Sequence, residues 1–141
     1  MTAPRYDPFT NDLLQLQIGD STNGVNRSHL IVRPTLINAI GGLHGGVTFS
    51  LVDQSMGAAM ESILTPEEAS STLEIKINDL EPILEGRIDC ETRVIRRGGR
   101  IAVLEADVRN QDRLAAKALG AYAIIRRSQT PQVSSAQSAT P

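Results

Sequence analysis

The chain has no tryptophan, and aromatic residues make up only 3% of its 141 positions. Any core must therefore be aliphatic, and a hydrophobic content of 40% is enough to build one. It has a single cysteine, Cys90. That excludes an internal disulfide framework and fits a reducing, cytoplasmic setting. It has no excess of positive charge: 14 Lys and Arg against 16 Asp and Glu leave a net charge of -2. A general attraction to nucleic acid is thereby excluded. The opening residues, Met1-Thr-Ala-Pro-Arg-Tyr-Asp-Pro8, lack the apolar run of a secretory leader. His29, His44 and Asp53 show no metal-ligand spacing, and no metal or cofactor is expected. Ser50 lies in no Gly-x-Ser-x-Gly elbow, which argues against a serine hydrolase built on His44, Ser50 and Asp53.

One segment stands out. From Ala39 to Met60 the only charged residue is Asp53. Gly41, Gly42, Gly45 and Gly46 occupy the first part of this window, and Asp53 lies near the middle of the rest. That pattern reads as a glycine loop feeding a buried helix of a water-facing domain, not as a membrane span. A carboxylate among apolar neighbours is costly unless it is partnered. Asp53 therefore either has dedicated hydrogen-bond donors or faces a cleft where its basicity is used.

The rest of the chain predicts one domain over residues 1–127 and a disordered Ser/Gln/Thr/Pro tail over 128–141. Pro8–Leu16 predicts a short helix, Asp20–Asn26 a turn, and His29–Val32 a strand ended by Pro34. Asn38–Gly46 predicts an ordered loop and Val47–Ile63 a helix, apolar nearly all round, enclosed by other elements. Leu73, Ile75 and Ile77 alternate with polar residues, a strand with one wet face, ended at Pro82. Gly86–Ile95, Ile101–Val108 and Leu114–Ile125 predict three more strands joined by short turns. The fold class is α+β: an antiparallel sheet wrapped around one long central helix. Its uncovered edge and outer face predict a dimer or larger oligomer.

The helix start has a chemistry of its own. Its first N–H groups lack intrahelical acceptors, and the helix dipole adds positive charge there. Beside Gly45 and Gly46 these amides suit an oxyanion that forms during acyl transfer. Asp53 could activate water or attack a thioester carbonyl. It lies about 10 Å along the same helix from that N-terminus, so one helix cannot place both groups on one carbonyl. A second subunit could, which points to an interfacial site. Bland readings stand beside these. Asp53 could be a structural acid, His44 a loop-ordering residue, and Cys90 an inert core thiol. Arg93, Arg96, Arg97 and Arg100 could be a solvated turn or a phosphate contact. Phe49, Met56, Met60 and Ile63 are candidates for shaping an acyl pocket.

The segment Asn38-Ala-Ile-Gly-Gly-Leu-His-Gly-Gly-Val-Thr-Phe-Ser-Leu-Val-Asp53 resembles the hotdog-fold acyl-CoA thioesterases, in the branch of phenylacetyl-CoA and 4-hydroxybenzoyl-CoA thioesterases. The likeness runs from Pro34 to Arg126 through Leu73–Pro82, Glu85-Gly86 and Arg97-Gly-Gly-Arg100. It implies a hotdog fold and hydrolysis of an acyl-CoA without a cofactor. By position it implies Asp53 as catalytic carboxylate and Gly46 as oxyanion donor, with Gly45 beside it. Asn38 would help to hold the thioester or the water, His44 would brace the loop, and Thr72 would orient the water. Apart from that likeness, Phe49 and Met56 are candidates to line the substrate site, and Arg96, Arg97 and Arg100 to meet coenzyme A phosphates. The likeness also implies a homodimer or homotetramer with the acid facing the partner's loop. Asn78-Asp-Leu-Glu-Pro82 departs from the family, which more often has an aromatic and a basic residue there. An acyl carrier protein in place of coenzyme A, a non-catalytic thioester-binding module and, more remotely, a hydratase on the same fold remain open.

Overall fold

A computed structural model describes residues 6–129. Six strands, one long helix and a few single turns make up the described chain. β1 (Gln17–Thr22), β2 (Val25–Ile31), β3 (Glu68–Asp79), β4 (Arg87–Arg97), β5 (Ile101–Asn110) and β6 (Arg113–Arg126) form one antiparallel sheet in the order β1-β2-β4-β5-β6-β3. The helix α1 (Gly45–Glu61) packs across it, against β1 to β5 and, through Asp53 and Met56, against β6. The chain crosses from β2 through α1 to the far edge of the sheet, lays down β3 there, and returns to place β4 beside β2.

The core between helix and sheet is aliphatic. Leu30, Leu51, Val52, Met56, Met60, Ile88, Leu104 and Val108 are fully buried, with Tyr122 as the one large aromatic among them. On α1 the buried positions are Val47, Thr48, Leu51, Val52, Ser55, Met56, Ala59 and Met60, the spacing of a single helix face. The opposite face, with Phe49, Ser50, Asp53, Gln54, Gly57 and Ala58, is half-buried or exposed. The expectation of a helix enclosed on all sides is therefore corrected: within one chain half of it is open.

Several element boundaries also differ from expectation. Phe9–Leu13 forms one π-type turn in place of a helix over Pro8–Leu16. Asp20–Asn26 is not all turn. Its first residues belong to β1, and only Asn23-Gly24 turns the chain, both with positive φ (50° and 80°). α1 starts at Gly45, two residues before Val47, because His44 caps it. β3 starts at Glu68, and a bulge between Thr72 and Glu74 shifts its register. Thr72 pairs with Tyr122 and faces the helix side, while Leu73 is pushed out and is 56% exposed. The alternation that set Leu73 beside Ile75 and Ile77 is thus broken. Beyond a single 3-10 turn at Arg127–Gln129, the expected tail lies outside the described residues.

Candidate active site

The rotation of α1 is set from below. Asn26, Ser55 and Thr92 are completely buried polar residues. Ser55 Oγ donates to Asn26 Oδ1 at 2.8 Å and lies 2.9 Å from Thr92 Oγ1, while Ser28 Oγ donates to the same Asn26 oxygen at 2.6 Å. Buried polar atoms without partners are costly, so this cluster admits one orientation of the helix. Asp53 lies two residues before Ser55, about 200° round the helix at 3.6 residues per turn. Holding Ser55 against β2 and β4 turns Asp53 towards β3 and β6.

There Asp53 meets two hydroxyls. Thr72 Oγ1 donates to its Oδ1 at 2.8 Å, and Tyr122 Oη donates to the same Oδ1 at 2.7 Å. Tyr122 Oη also lies 3.0 Å from the Asp53 carbonyl oxygen. Asp53 is half-buried, and its Oδ2 accepts no hydrogen bond among the described residues and is not a buried atom. Burial of Tyr122 pushes its hydroxyl far above the ordinary phenol range; the neighbouring Thr72 hydroxyl pulls it down in part, and the Asp53 carboxylate pushes it up again. Tyr122 is therefore a permanent donor. Sequence reasoning missed it. The usable signal was a tyrosine on the inward side of a strand of small residues, since a buried phenol needs a polar partner.

The helix start has a different state. His44 Nδ1 accepts the Gly46 N–H at 3.1 Å, so the imidazole caps the amide expected to serve an oxyanion. The Gly45 N–H finds no acceptor among the described residues. Asn38 holds the loop: its Oδ1 accepts the amides of Ile40, Gly41 and Gly42 at 2.9, 3.1 and 3.2 Å. That oxygen is occupied, and the side-chain NH2 is the group left to meet a ligand. The Asp79 carboxylate lies near Gly45, at the positive end of the helix.

The remaining candidates divide. Phe49 is 41% exposed on the open face of α1, one turn before Asp53. Met56, expected at the acyl pocket, is instead fully buried, packed against Gly120 where β6 has no side chain. Arg97, expected at phosphates, grips Glu68 with both terminal nitrogens (2.7 and 3.2 Å) and reaches the Ile63 carbonyl at 3.5 Å. Its guanidinium is committed. Arg96 stands exposed opposite Val103, and Arg100 lines a shallow hollow with Thr65, Glu67 and Arg126. A second hollow lies among Arg27, His29, Arg87, Asp89 and Arg93. Neither hollow includes Asp53, and no hydrogen bond among the described residues joins Asp53 to the loop ending in His44 or to the first turn of α1. Cys90 is buried, and burial pushes its thiol up, as an inert core thiol requires.

An antiparallel sheet wrapped on one long helix defines the hotdog class. The chain belongs to the Thioesterase superfamily, whose family model matches residues 40–117. Among solved structures it is similar to the conserved protein PA5202 from Pseudomonas aeruginosa, at 37% identity and a TM-score of 0.78, covering 82% of this chain and 92% of that one. Thioesterase HI1161 from Haemophilus influenzae shares the fold at 22% identity and a TM-score of 0.77, covering 83% of this chain and 82% of that one. A variant of the phenylacetic acid degradation protein PaaI from Thermus thermophilus does so at 21% and 0.76, covering 83% and 98%. A curated relative, the esterase candidate SSO2140 from Saccharolobus solfataricus, is 39% identical over 89 residues. That match spans 61% of this chain and 61% of the relative's length.

Proposed function

We propose that this chain is an acyl-CoA thioesterase of the cytoplasm whose active site is completed by a second copy. The observation that carries the reading is Asp53: a half-buried carboxylate on the open face of α1, held through Oδ1 and free at Oδ2 among the described residues. In this reading Asp53 takes a proton from water as the water attacks the thioester carbonyl. The developing oxyanion of that substrate lies at the other subunit's helix start. There it meets the free Gly45 N–H and displaces the imidazole from Gly46, so both amides stabilise it. The thiolate of coenzyme A then leaves. The Asn38 amide NH2 touches the acyl carbonyl or the water, and Phe49 lines the acyl path. Arg96 and Arg100 remain for the phosphates, Arg97 being bound to Glu68. Release of free thiol from acetyl-, hexanoyl-, palmitoyl- and benzoyl-CoA tests the activity. Asp53→Asn is expected to lower turnover on the best of these by roughly 10²–10⁴. An unchanged rate in that variant removes Asp53 from the mechanism.

A non-catalytic thioester-binding module is the second reading. The capped Gly46 amide and the Asp79 carboxylate near the helix start favour it. Tight binding of an acyl-CoA with no thiol release by the wild-type chain would select it. Hydrolysis of acyl carrier protein thioesters faster than acyl-CoA would reassign the carrier alone.

A further inference from the structure

We infer that Tyr122 and Thr72 are positioning residues that bind one oxygen of Asp53, Oδ1, and so make Oδ2 the oxygen that does the chemistry. The inference rests on the thioesterase reading above and deepens it at the same site.

The geometry is specific to the two strands. Thr72 and Tyr122 are direct cross-strand partners, next to the bulge of β3. In a regular strand Thr72 and Ile75, three residues apart, would point to opposite faces; the bulge at Leu73 lets both point inwards. The bulge therefore puts a hydroxyl on β3 beside the hydroxyl on β6, and both O–H groups converge on a single oxygen at 2.8 and 2.7 Å. A carboxylate oxygen that accepts two hydroxyl donors is a poorer base than its unbonded twin. The proton of an attacking water consequently goes to Oδ2, the oxygen that no described residue covers with a hydrogen bond. Thr72 gives its single hydroxyl proton to Asp53, so it meets a water only as an acceptor, through its remaining lone pairs. Tyr122 cannot stand in as a base, because its proton is held by burial and by the carboxylate it contacts. Its Oη also lies 3.0 Å from the Asp53 carbonyl, which ties the side chain's orientation to the helix backbone.

The test uses the full chain and the acyl-CoA it hydrolyses fastest among acetyl-, hexanoyl-, palmitoyl- and benzoyl-CoA. Tyr122→Phe and Thr72→Val are each expected to lower kcat about tenfold, the worth of one hydrogen bond to a charged group, with KM within about twofold. Thr72→Ser, which keeps the hydroxyl, is expected to restore most of the rate. Thermal melts accompany each variant, and Thr72 is an exposed strand position whose replacement leaves the core intact. A hydroxyl that serves only the fold would lower the melting temperature and leave kcat unchanged. If both Tyr122→Phe and Thr72→Val keep wild-type kcat while Asp53→Asn is inactive, the positioning inference is overturned and the Asp53 reading stands. If Asp53→Asn keeps wild-type kcat, or no thioester is cleaved at all, both fail together.

Discussion

At the scale of the residue, the same helix carries two side chains with opposite fates. Asp53 faces out between two hydroxyls, while Met56, three residues on, is sealed in the core. Met56 fills the space that Gly120 leaves on β6; a Cβ there would stand 2.6 Å from its sulfur. A methionine so enclosed acts on stability rather than on substrate choice. Met56→Ala is expected to cost about 2–5 kcal/mol in urea unfolding, the usual range for a buried large-to-small change. The preference among short, long and aromatic acyl-CoAs should stay as in the parent chain. A changed preference with little loss of stability would return Met56 to the pocket.

At the scale of the element, short irregularities decide what long patterns cannot. The Asn23-Gly24 turn holds both residues at positive φ, the geometry of a tight hairpin. A Cβ at Gly24 would also stand 3.0 Å from the Val94 Cβ. Gly24→Ala is therefore expected to destabilise by about 1–3 kcal/mol, seen as a lowered urea midpoint. Such details explain how far the sequence could be read. The helix, the order of β2 to β6 along the chain and the loop from Asn38 to His44 were legible, because they rest on long apolar periods and a glycine cluster. β1 was not, since Gln17-Ile-Gly-Asp-Ser-Thr22 is an edge strand of polar residues that reads as turn chemistry. The bulge at Leu73 was not, since alternation continues straight through it. In the site, Asp53 and the glycines were visible as a sequence cluster, and Thr72 came through the family resemblance. Tyr122 lies 69 residues from Asp53 and meets it only through sheet register. The commitment of Arg97 to Glu68 is likewise a matter of tertiary contact, 29 residues apart.

At the scale of the whole molecule, one chain leaves conspicuous surfaces uncovered. β3 is an edge strand of 12 residues with Leu73 turned outwards, and the Asp53 face of α1 is open. A long unpaired edge invites a partner, and pairing with a second copy gives a closed two-fold assembly. In the proposed mechanism, the distance of about 10 Å between Asp53 and its own helix start calls for the same partner. The two arguments meet in one experiment. Asp53→Asn removes the acid, and Gly46→Pro removes the amide at a first-turn position where proline is tolerated. Each homodimer should be inactive. A co-expressed mixed dimer contains one site with both defects and one with neither, because the intact acid of one chain faces the intact amide of the other. Random assembly makes half of the dimers mixed, so about a quarter of the wild-type activity is expected to return. Sites confined to single chains would show no recovery at any ratio of the two variants.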